Sequence, residues 1–198
     1  MRILVIGATG TIGREIVRAI GTKHEVVETS RKGSGITVDI RDPASIRAMY
    51  AAAGRIDAVL CAAGSGAWKP LPELTDDDFA VSMSYKLMGQ VNVIRYGLDS
   101  VSDGGSITVT SGILSHVPMV GGAAISLVNA GLEGFVRAAA LEAPRGIRVN
   151  AVSPPWVSET LVEMGSDPSG GLPAAVVART YVAAVEGKET GQVLEPEP

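Results

Sequence analysis

The sequence of 198 residues contains one cysteine, Cys61, and only two histidines. A single cysteine excludes a disulfide framework within the chain, and it excludes a cysteine-based zinc cluster. Aromatic residues make up only 4%, whereas glycine occurs 24 times, which predicts close packing of helices on a sheet. Lysine and arginine total 17 against 21 aspartates and glutamates, so the formal net charge is −4. This mild acidity, without a basic block, argues against a nucleic-acid partner.

Long hydrophobic segments are absent as well. No stretch of about 18 residues is apolar throughout, so the sequence predicts no membrane span. The apolar run that follows Arg2 is too short for the core of a secretory signal. We therefore expect a cytoplasmic protein with no metal, no membrane and no nucleic acid among its partners. The length is that of a single domain spanning residues 1–198.

Short apolar runs rich in β-branched residues recur along the chain and alternate with helical stretches. Most runs are bounded by glycine, aspartate or proline, which is typical of buried parallel strands. Asp42 and Pro43 predict the start of one helix, because aspartate caps a helix and proline suits its first position. The pattern predicts an α/β fold in which a parallel sheet carries helices on both faces. The expected strands are Ile3–Ile6, Val26–Val27, Ile36–Ile40, Ala58–Ala63, Ser106–Thr110, Ile147–Val152 and Gln192–Leu194, and the expected helices are Ile12–Ile20, Ala44–Ala53, Thr75–Val101, Gly122–Ala143 and Pro173–Glu186.

The segment that leaves the first strand and enters the first helix is rich in glycine. Its glycines are spaced three residues apart. Glycines in this position let the backbone approach a pyrophosphate, and the helix N-terminus offers free N–H groups. The motif predicts a dinucleotide site, and an ordinary strand-to-helix turn is the alternative. The residues expected to hold the nucleotide here are Gly7, Thr9, Gly10, Thr11, Ile12 and Gly13.

Arg31 and Lys32 follow the second strand, where the residue type distinguishes NADP from NAD. A guanidinium grips a phosphate through two parallel hydrogen bonds, and Ser30 would donate to the same phosphate. Glu28 argues for NAD(H), if it takes the place of the acidic residue that bonds the ribose. Because Glu28 comes three residues before Arg31, inside the expected strand, we favour NADP(H) as the cofactor.

Further motifs in the same order along the chain resemble those of the short-chain dehydrogenase/reductase family. The resemblance covers nearly the whole chain and implies a single-domain Rossmann fold, a doubly wound parallel sheet of about seven strands in the order 3-2-1-4-5-6-7. The matching segments are Gly7–Gly13, Val38–Ile40, Cys61–Gly64, Val109–Gly112, Asn129–Phe135 and Arg148–Pro155. The cofactor contacts that the resemblance implies, besides the glycine motif, are Asp39, Ile40, Ala62, Ala63, Gly64, Pro154, Val157 and Thr160.

The resemblance fails at the catalytic residues. The family's reaction needs a tyrosine and a lysine four residues apart on the long helix, the tyrosine to exchange the proton and the lysine to assist it. Alignment on Gly134–Phe135 places these positions at Ile125 and Asn129, which carry neither an acidic proton nor a charge. The family's asparagine on the preceding helix falls at Lys86. Only Ser111 matches the family's catalytic residues.

Lys86, His116 and Ser111 remain as catalytic candidates, with Tyr85 as an alternative to Lys86. Lys86 is expected at the wall of the nicotinamide pocket, where burial lowers the pKa of an ammonium and lets it donate a proton. Tyr85 is an alternative donor, although adjacent helical side chains point about 100° apart. His116 lies in the loop after Ser111, and imidazole suits a proton shuttle. Ser111 would bond a substrate carbonyl oxygen. A solvated surface side chain is the alternative for Lys86 and for His116.

Three functions are consistent with this pattern. The first is an NADP(H)-dependent oxidoreductase of atypical short-chain type, acting on a small carbonyl or alcohol. The second is a catalytically silent NADP(H)-binding sensor or partner-binding module, which the missing tyrosine and lysine favour. The third is an isomerase or epimerase that uses the nucleotide without net redox chemistry. Loss of turnover on replacing Lys86 by alanine would exclude the second.

The helices expected at 75–101 and 122–143 correspond to those that commonly form dimer faces in the family. We therefore expect a homodimer or homotetramer. The stretch between the sixth and last strands is short, so the substrate pocket is expected to be shallow or completed by a partner subunit. The segment Gly165–Gly171 is the one flexible stretch of note, either a linker or a lid.

Overall fold

A computed structural model describes all 198 residues. Seven parallel strands form one sheet in the order β3-β2-β1-β4-β5-β6-β7, which confirms the predicted topology. The strands are β1 Arg2–Ile6, β2 Glu25–Ser30, β3 Ile36–Thr37, β4 Ile56–Cys61, β5 Val101–Thr110, β6 Arg148–Val152 and β7 Val193–Leu194. The order reverses between β1 and β4, where open α/β sheets bind their ligands.

Helices connect the strands and cover both faces of the sheet. Asp42 caps the second helix by accepting from the Ala44 N–H, as predicted. Thr75 and Asp78 form a capping box at the start of the third, each side chain bonding the backbone N–H of the other. The helices are α1 Thr11–Ile20, α2 Pro43–Ala53, α3 Asp76–Ser82, α4 Gly89–Gly97, α5 Ala123–Glu142, α6 Ser158–Glu163 and α7 Ala174–Glu186.

The single helix expected over 75–101 is wrong in two respects. A π-helical segment, Met83–Met88, separates α3 from α4, and such segments are frequent at functional sites. The chain then turns after Gly97, and Val101 already belongs to β5. The polar, glycine-containing stretch after Val101 forms an irregularity in β5, between Val101, which pairs with Ile56 of β4, and Ser106, which pairs with Ala58. Strand β5 therefore begins at Val101, earlier in the chain than its apolar run indicates.

Alternation along the strands divides the core into two clusters. On one face, Leu4 and Ile6 of β1 pack with side chains from α2, α4 and α5. On the other, Ile3 and Val5 pack with side chains from α1 and α7. Because successive strand residues point to opposite faces, each buried strand needs apolar residues throughout, which is why these strands read as unbroken apolar runs.

Helix α5 has the length and hydropathy of a membrane-crossing helix, at 20 residues and a mean hydropathy of 1.3. One side of it, including Val128, Leu132 and Val136, is buried. Leu132 and Val136 belong to the core cluster on that face of the sheet. Packing on the sheet is sufficient reason for the apolar character of this helix, as for other core helices.

The contact between α2 and α4 depends on a glycine. The buried Tyr50 hydroxyl donates to the backbone carbonyl of Val93 at 2.7 Å, and burial raises the pKa of Tyr50. A Cβ on Gly97 would lie 2.6 Å from the Tyr50 oxygen. Glycine at this position therefore lets α4 lie against the tyrosine, and α4 continues from the segment that carries Lys86.

Gly97→Ala is expected to lower the free energy of unfolding by about 1–3 kcal/mol, because the added methyl overpacks the buried contact. Gly134→Ala is the matched control, since no atom lies within 4 Å of its added methyl, and it should raise that free energy by roughly 0.5–1 kcal/mol through helix propensity. Urea unfolding measures both. Adding Tyr50→Phe to Gly97→Ala should cost less than the sum of the single changes, and strict additivity would contradict the proposed contact.

Candidate active site

The turn between β1 and α1 contains glycines at positions where a side chain would not fit. Gly7 adopts a φ of +86°, and its amide donates to the Thr29 carbonyl of β2 at 2.8 Å. A Cβ on Gly13 would overlap the carbonyl oxygen of Gly7, so that α1 packs on this turn only with glycine there. No side chain caps the start of α1. The first N–H groups of the helix are thus free to bind an anion.

A cleft of about 860 Å³ opens beside this turn, at the carboxyl ends of β1, β2 and β4. It follows the topological switch of the sheet, where dinucleotides bind in doubly wound folds. Ten predicted cofactor residues line it: Gly7, Thr9, Gly10, Ser30, Arg31, Lys32, Ile40, Ala62, Ala63 and Gly64. The remaining lining residues are Ile6, Val38, Arg41, Ser65, Tyr85 and Glu163.

One end of the cleft is basic. Arg31 and Lys32 line it, and neither forms an ion pair with a carboxylate. The guanidiniums of Arg31 and Arg41 each lie 5.6 Å from the ring centre of Tyr85, within the range of cation–π attraction. Glu28 lies within β2, and it does not line the cleft. The charge that faces a bound nucleotide here is therefore positive.

Three predicted cofactor residues, Thr11, Gly13 and Asp39, line neither this cleft nor the smaller pocket that adjoins it. Each has another role in the structure. Asp39 pairs with the Arg41 guanidinium through bonds of 2.5–3.1 Å, and these bonds lower the pKa of Asp39. Thr11 directs its hydroxyl toward Glu163, at 3.5 Å. Gly13 provides the close approach of α1 to the glycine turn. Asp39 thus acts through Arg41, which the sequence motif did not single out.

A second pocket of about 280 Å³ adjoins the cleft and shares Ala62, Gly64 and Ser65 with it. It lies between the end of β5, α5 and the segment after β6. Ile12, Pro154, Val157 and Thr160, predicted as cofactor contacts, line this pocket. Lys86, Ile125 and Asn129 also line it. The structure therefore brings the substituted catalytic positions together beside the nucleotide cleft.

Lys86 is 8% exposed, and its ammonium lies at the end of β5. The ammonium donates to the backbone carbonyl of Ser111 at 3.0 Å, and no carboxylate lies within 4.0 Å of it. Burial lowers the pKa of Lys86 from its ordinary value of 10.5 to about 8. At neutral pH this side chain is a buried cation with a proton that is readily given up.

The side-chain amides of Gln90 and Asn129 hydrogen-bond backbone groups at and just after the end of β5. Gln90 accepts from the N–H of Thr110 and donates to its carbonyl, both at 2.7 Å. Asn129 donates to the Gly112 carbonyl at 3.2 Å. The Oδ1 atom of Asn129 is buried and has no hydrogen-bond partner. A buried acceptor without a donor is costly, so Oδ1 is suited to a hydroxyl or N–H of a bound ligand.

Ser111 lines the second pocket, but its hydroxyl is engaged by a residue of α5. This hydroxyl donates to the buried carboxylate of Glu133 at 2.6 Å, and Ser153 donates to the same oxygen at 3.4 Å. Because a charge-assisted bond to a buried carboxylate is strong, the Ser111 hydroxyl is held toward α5. Its backbone carbonyl, rather than its side chain, contributes to the pocket by anchoring Lys86.

His116 and Tyr85 also differ from expectation. A short 3₁₀ turn, Ile113–Ser115, precedes His116, and the imidazole lies outside both pockets, half exposed and 3.3 Å from a Glu195 oxygen. Tyr85 lines the nucleotide cleft under two guanidiniums rather than the second pocket. Neither is therefore placed to exchange a proton with a substrate beside Lys86.

Comparison with known proteins agrees with this geometry. The family model described as enoyl-(acyl carrier protein) reductase matches residues 13–193. The crystal structure of the protein lin1944 from Listeria innocua is 40% identical, covers all of both chains and superposes with a TM-score of 0.95. A small-chain dehydrogenase crystallised with NADPH is 25% identical over 98% of this chain and 95% of its own, with a TM-score of 0.84.

Curated relatives are more distant and longer. A protein of Mycobacterium tuberculosis named as an uncharacterized NAD-dependent oxidoreductase is 31% identical over 150 residues, covering 72% of this chain and 54% of its own length. The chain spans about half the length of the first curated relatives it matches, between 40% and 56%. The family match nevertheless extends from the first turn of α1 to the last strand. The chain belongs to the short-chain dehydrogenase/reductase family.

Proposed function

We propose that this protein is an NADP(H)-dependent oxidoreductase that interconverts a small carbonyl compound and its alcohol, with Lys86 exchanging the proton. The observation that carries the proposal is the position of Lys86. Its ammonium is buried, has no carboxylate partner and lines a pocket that is continuous with the nucleotide cleft. An acid with a pKa near the working pH is well suited to general acid–base catalysis.

The residues of the cleft fit a nicotinamide dinucleotide. Gly7 and Gly13 let α1 and β4 pack closely on the turn, where a Cβ would meet backbone atoms, and the uncapped start of α1 suits a pyrophosphate. The unpartnered Oδ1 of Asn129 suits a ribose hydroxyl, which is a hydrogen-bond donor. The bound dinucleotide would supply the hydride chemistry, while the protein orients it and manages the proton.

The basic end of the cleft supports NADP(H) over NAD(H). Arg31 and Lys32 form no ion pair with a carboxylate, whereas Arg41, on the other side of Tyr85, is paired with Asp39. A 2′-phosphate would pair with such groups through charge-assisted bonds. The NADPH complex of one structural relative supports this preference, whereas the Mycobacterium relative is named as NAD-dependent.

Relative to the family pattern, the lysine and the asparagine have exchanged helices. Lys86 stands where the family has asparagine, and Asn129 stands where the family has lysine. The two side chains bond the carbonyls of Ser111 and Gly112, which are consecutive residues. With Ile125 in place of the tyrosine, the ammonium would act on the substrate oxygen itself.

A catalytically silent NADP(H)-binding sensor is the second candidate. The observation that favours it is Ile125, an aliphatic side chain that lines the pocket at the tyrosine position. Binding of the dinucleotide without turnover of any carbonyl compound would support this function. The variant of Lys86 described below separates the two candidates, because a sensor has no proton to exchange.

We also propose a homodimer or homotetramer formed through the helical stretches 75–101 and 122–143. Exposed apolar side chains on these stretches support it: Val81 is 53% exposed, Met88 40% and Leu127 52%. Contiguous exposed apolar side chains are typical of interaction surfaces. A cytoplasmic location remains a prediction from the sequence.

Arg31→Ala is expected to weaken NADPH binding by about 1–3 kcal/mol, roughly 5- to 150-fold, through loss of the phosphate contact. NADH binding should change little, since NADH lacks the 2′-phosphate. Isothermal titration with both nucleotides measures the effect. Arg179→Ala is the matched control, because Arg179 is exposed on α7 and lines neither pocket. Equal weakening of NADPH and NADH would contradict the assignment of Arg31.

Lys86→Met is expected to abolish turnover and, at the same time, to stabilise the fold. The pKa of Lys86 falls from 10.5 to about 8 on folding, so keeping it charged at pH 7 costs roughly 3 kcal/mol. Unfolding takes up a proton between pH 8 and 10.5, so wild-type stability rises with pH across that window. The advantage of the variant should therefore be largest at pH 7 and shrink toward pH 10.5.

Urea unfolding from pH 7 to 10.5 and steady-state reduction assays measure the two effects separately. Lys188→Met is the control, because Lys188 is exposed and forms no ion pair. Wild-type carbonyl reduction should decline as pH rises through about 8, because the donor loses its proton. Full activity of Lys86→Met would refute the catalytic role, and a pH-independent stability difference would refute the burial of a charged ammonium.

A further inference from the structure

The second pocket offers a ligand one charged anchor and otherwise weakly polar walls. Lys86 is the only charged side chain that lines it. Of the four lining hydroxyls, Ser111 is bonded to Glu133 and Thr110 to the Cys61 carbonyl. Only the hydroxyls of Ser65 and Thr160 are left for a ligand. Much of the remaining wall is aliphatic: Ile12, Ile113, Leu114, Ile125, Pro154, Pro155 and Val157.

The two tryptophans of the chain are in contact with each other, and one of them lines this pocket. Trp156 lines it, and Trp68 packs edge-on against Trp156, with ring centres 5.2 Å apart and planes at 72°. The Trp156 ring N–H points to the sulfur of Met119 at 3.4 Å. Two side chains from separate loops therefore hold the indole of Trp156 in place as one wall of the pocket.

Gly121 and Gly122 pack against Trp68, the tryptophan that contacts Trp156. A Cβ on Gly121 would lie 3.1 Å from Nε1 of Trp68, and a Cβ on Gly122 would lie 3.4 Å from its ring. Gly121 has a φ of +85°, and its carbonyl accepts from the Lys69 N–H at 3.1 Å. The backbone thus packs directly on Trp68, in a protein in which only 4% of residues are aromatic.

We propose that the substrate is a compact aromatic carbonyl compound, whose oxygen accepts a hydrogen bond from Lys86 and whose ring packs against Trp156. This inference rests on the proposed function and names its substrate class. The pocket holds about 280 Å³, below the range of roughly 300–1,000 Å³ that drug-sized ligands occupy. Its wall includes residues expected to contact the cofactor, among them Val157 and Thr160. The space left for a substrate beside Lys86 and Trp156 therefore suits no more than a single ring with one polar end.

The chemistry of the walls favours this class over hydroxylated carbonyl compounds such as sugars. Each additional hydroxyl would lose its water against Ile12, Ile125 or Val157 and find few partners there, which costs free energy. An aromatic ring, in contrast, gains from the indole beyond the burial of its area. The ammonium selects the carbonyl end, because it is the strongest hydrogen-bond donor in the pocket.

The test is ligand binding measured by saturation-transfer difference NMR on the intact protein, without turnover. Acetophenone, methyl cyclohexyl ketone and dihydroxyacetone compare an aromatic, an aliphatic and a hydroxylated ketone. Acetophenone is expected to bind about 2- to 10-fold more tightly than its cyclohexyl analogue, the range that aromatic pairs add. Dihydroxyacetone is expected to bind more weakly than either.

Trp156→Leu keeps the wall apolar and removes the indole, so it should abolish the preference for acetophenone over the cyclohexyl ketone. Lys86→Met should weaken both ketones. Tyr96→Leu is the matched control, because Tyr96 lies on α4 and lines neither pocket, and it should leave the preference unchanged. Should Trp156→Leu fail to fold, the wild-type series alone decides.

Equal or tighter binding of dihydroxyacetone, or an unchanged preference in Trp156→Leu, would overturn the inference. Steady-state assays with NADPH distinguish this failure from failure of the proposed function. Reduction of hydroxylated ketones only would leave the oxidoreductase standing and refute the aromatic substrate class. Indole-dependent binding of acetophenone without reduction of any ketone would support the pocket's specificity and refute the oxidoreductase.

Discussion

The hydrogen bond from the Lys86 ammonium to the carbonyl of Ser111 joins the π-helical segment to the end of β5 inside the second pocket. One neutral carbonyl compensates poorly for the water that a buried ammonium loses. The pKa of Lys86 therefore falls to about 8, and the fold retains a charge that destabilises it. Such a cost is typical of functional sites, where stability is traded for reactivity.

Steric contacts constrain the residue type more strictly in the nucleotide cleft than in the second pocket. At the nucleotide end, a Cβ on Gly13 would collide with backbone, so the residue type is dictated by the path of the chain. In the second pocket, Gln90 and Asn129 hydrogen-bond the backbone around the end of β5. These bonds do not involve Ile125, which occupies the position of the family's tyrosine. The cofactor half of the family pattern is thus kept, whereas the residues at the family's proton-transfer positions differ, and the lysine of the pocket lies on the other helix.

Much of the fold follows from local patterns that the sequence displays directly. Asp42 and Thr75 mark helix starts through their own side-chain bonds, and the buried strands appear as apolar runs. The π-helical segment around Lys86 has no such signature, because its hydrophobic pattern is also that of an ordinary helix. The orientation of Ser111 depends on Glu133, 22 residues away. Arg41 and Tyr85 join the cleft through tertiary packing, which spacing alone does not reveal.

We expect the buried ammonium of Lys86 to lose its proton near pH 8. The most direct measurement is a pH titration of the lysine side-chain signals by NMR in protein labelled at the lysine Cε, with Lys86→Met assigning the resonance. The expected midpoint is about 8, well separated from those of exposed lysines such as Lys188. A midpoint near the ordinary value of about 10.4 would contradict it, since Lys86 would then be solvated and a weak acid.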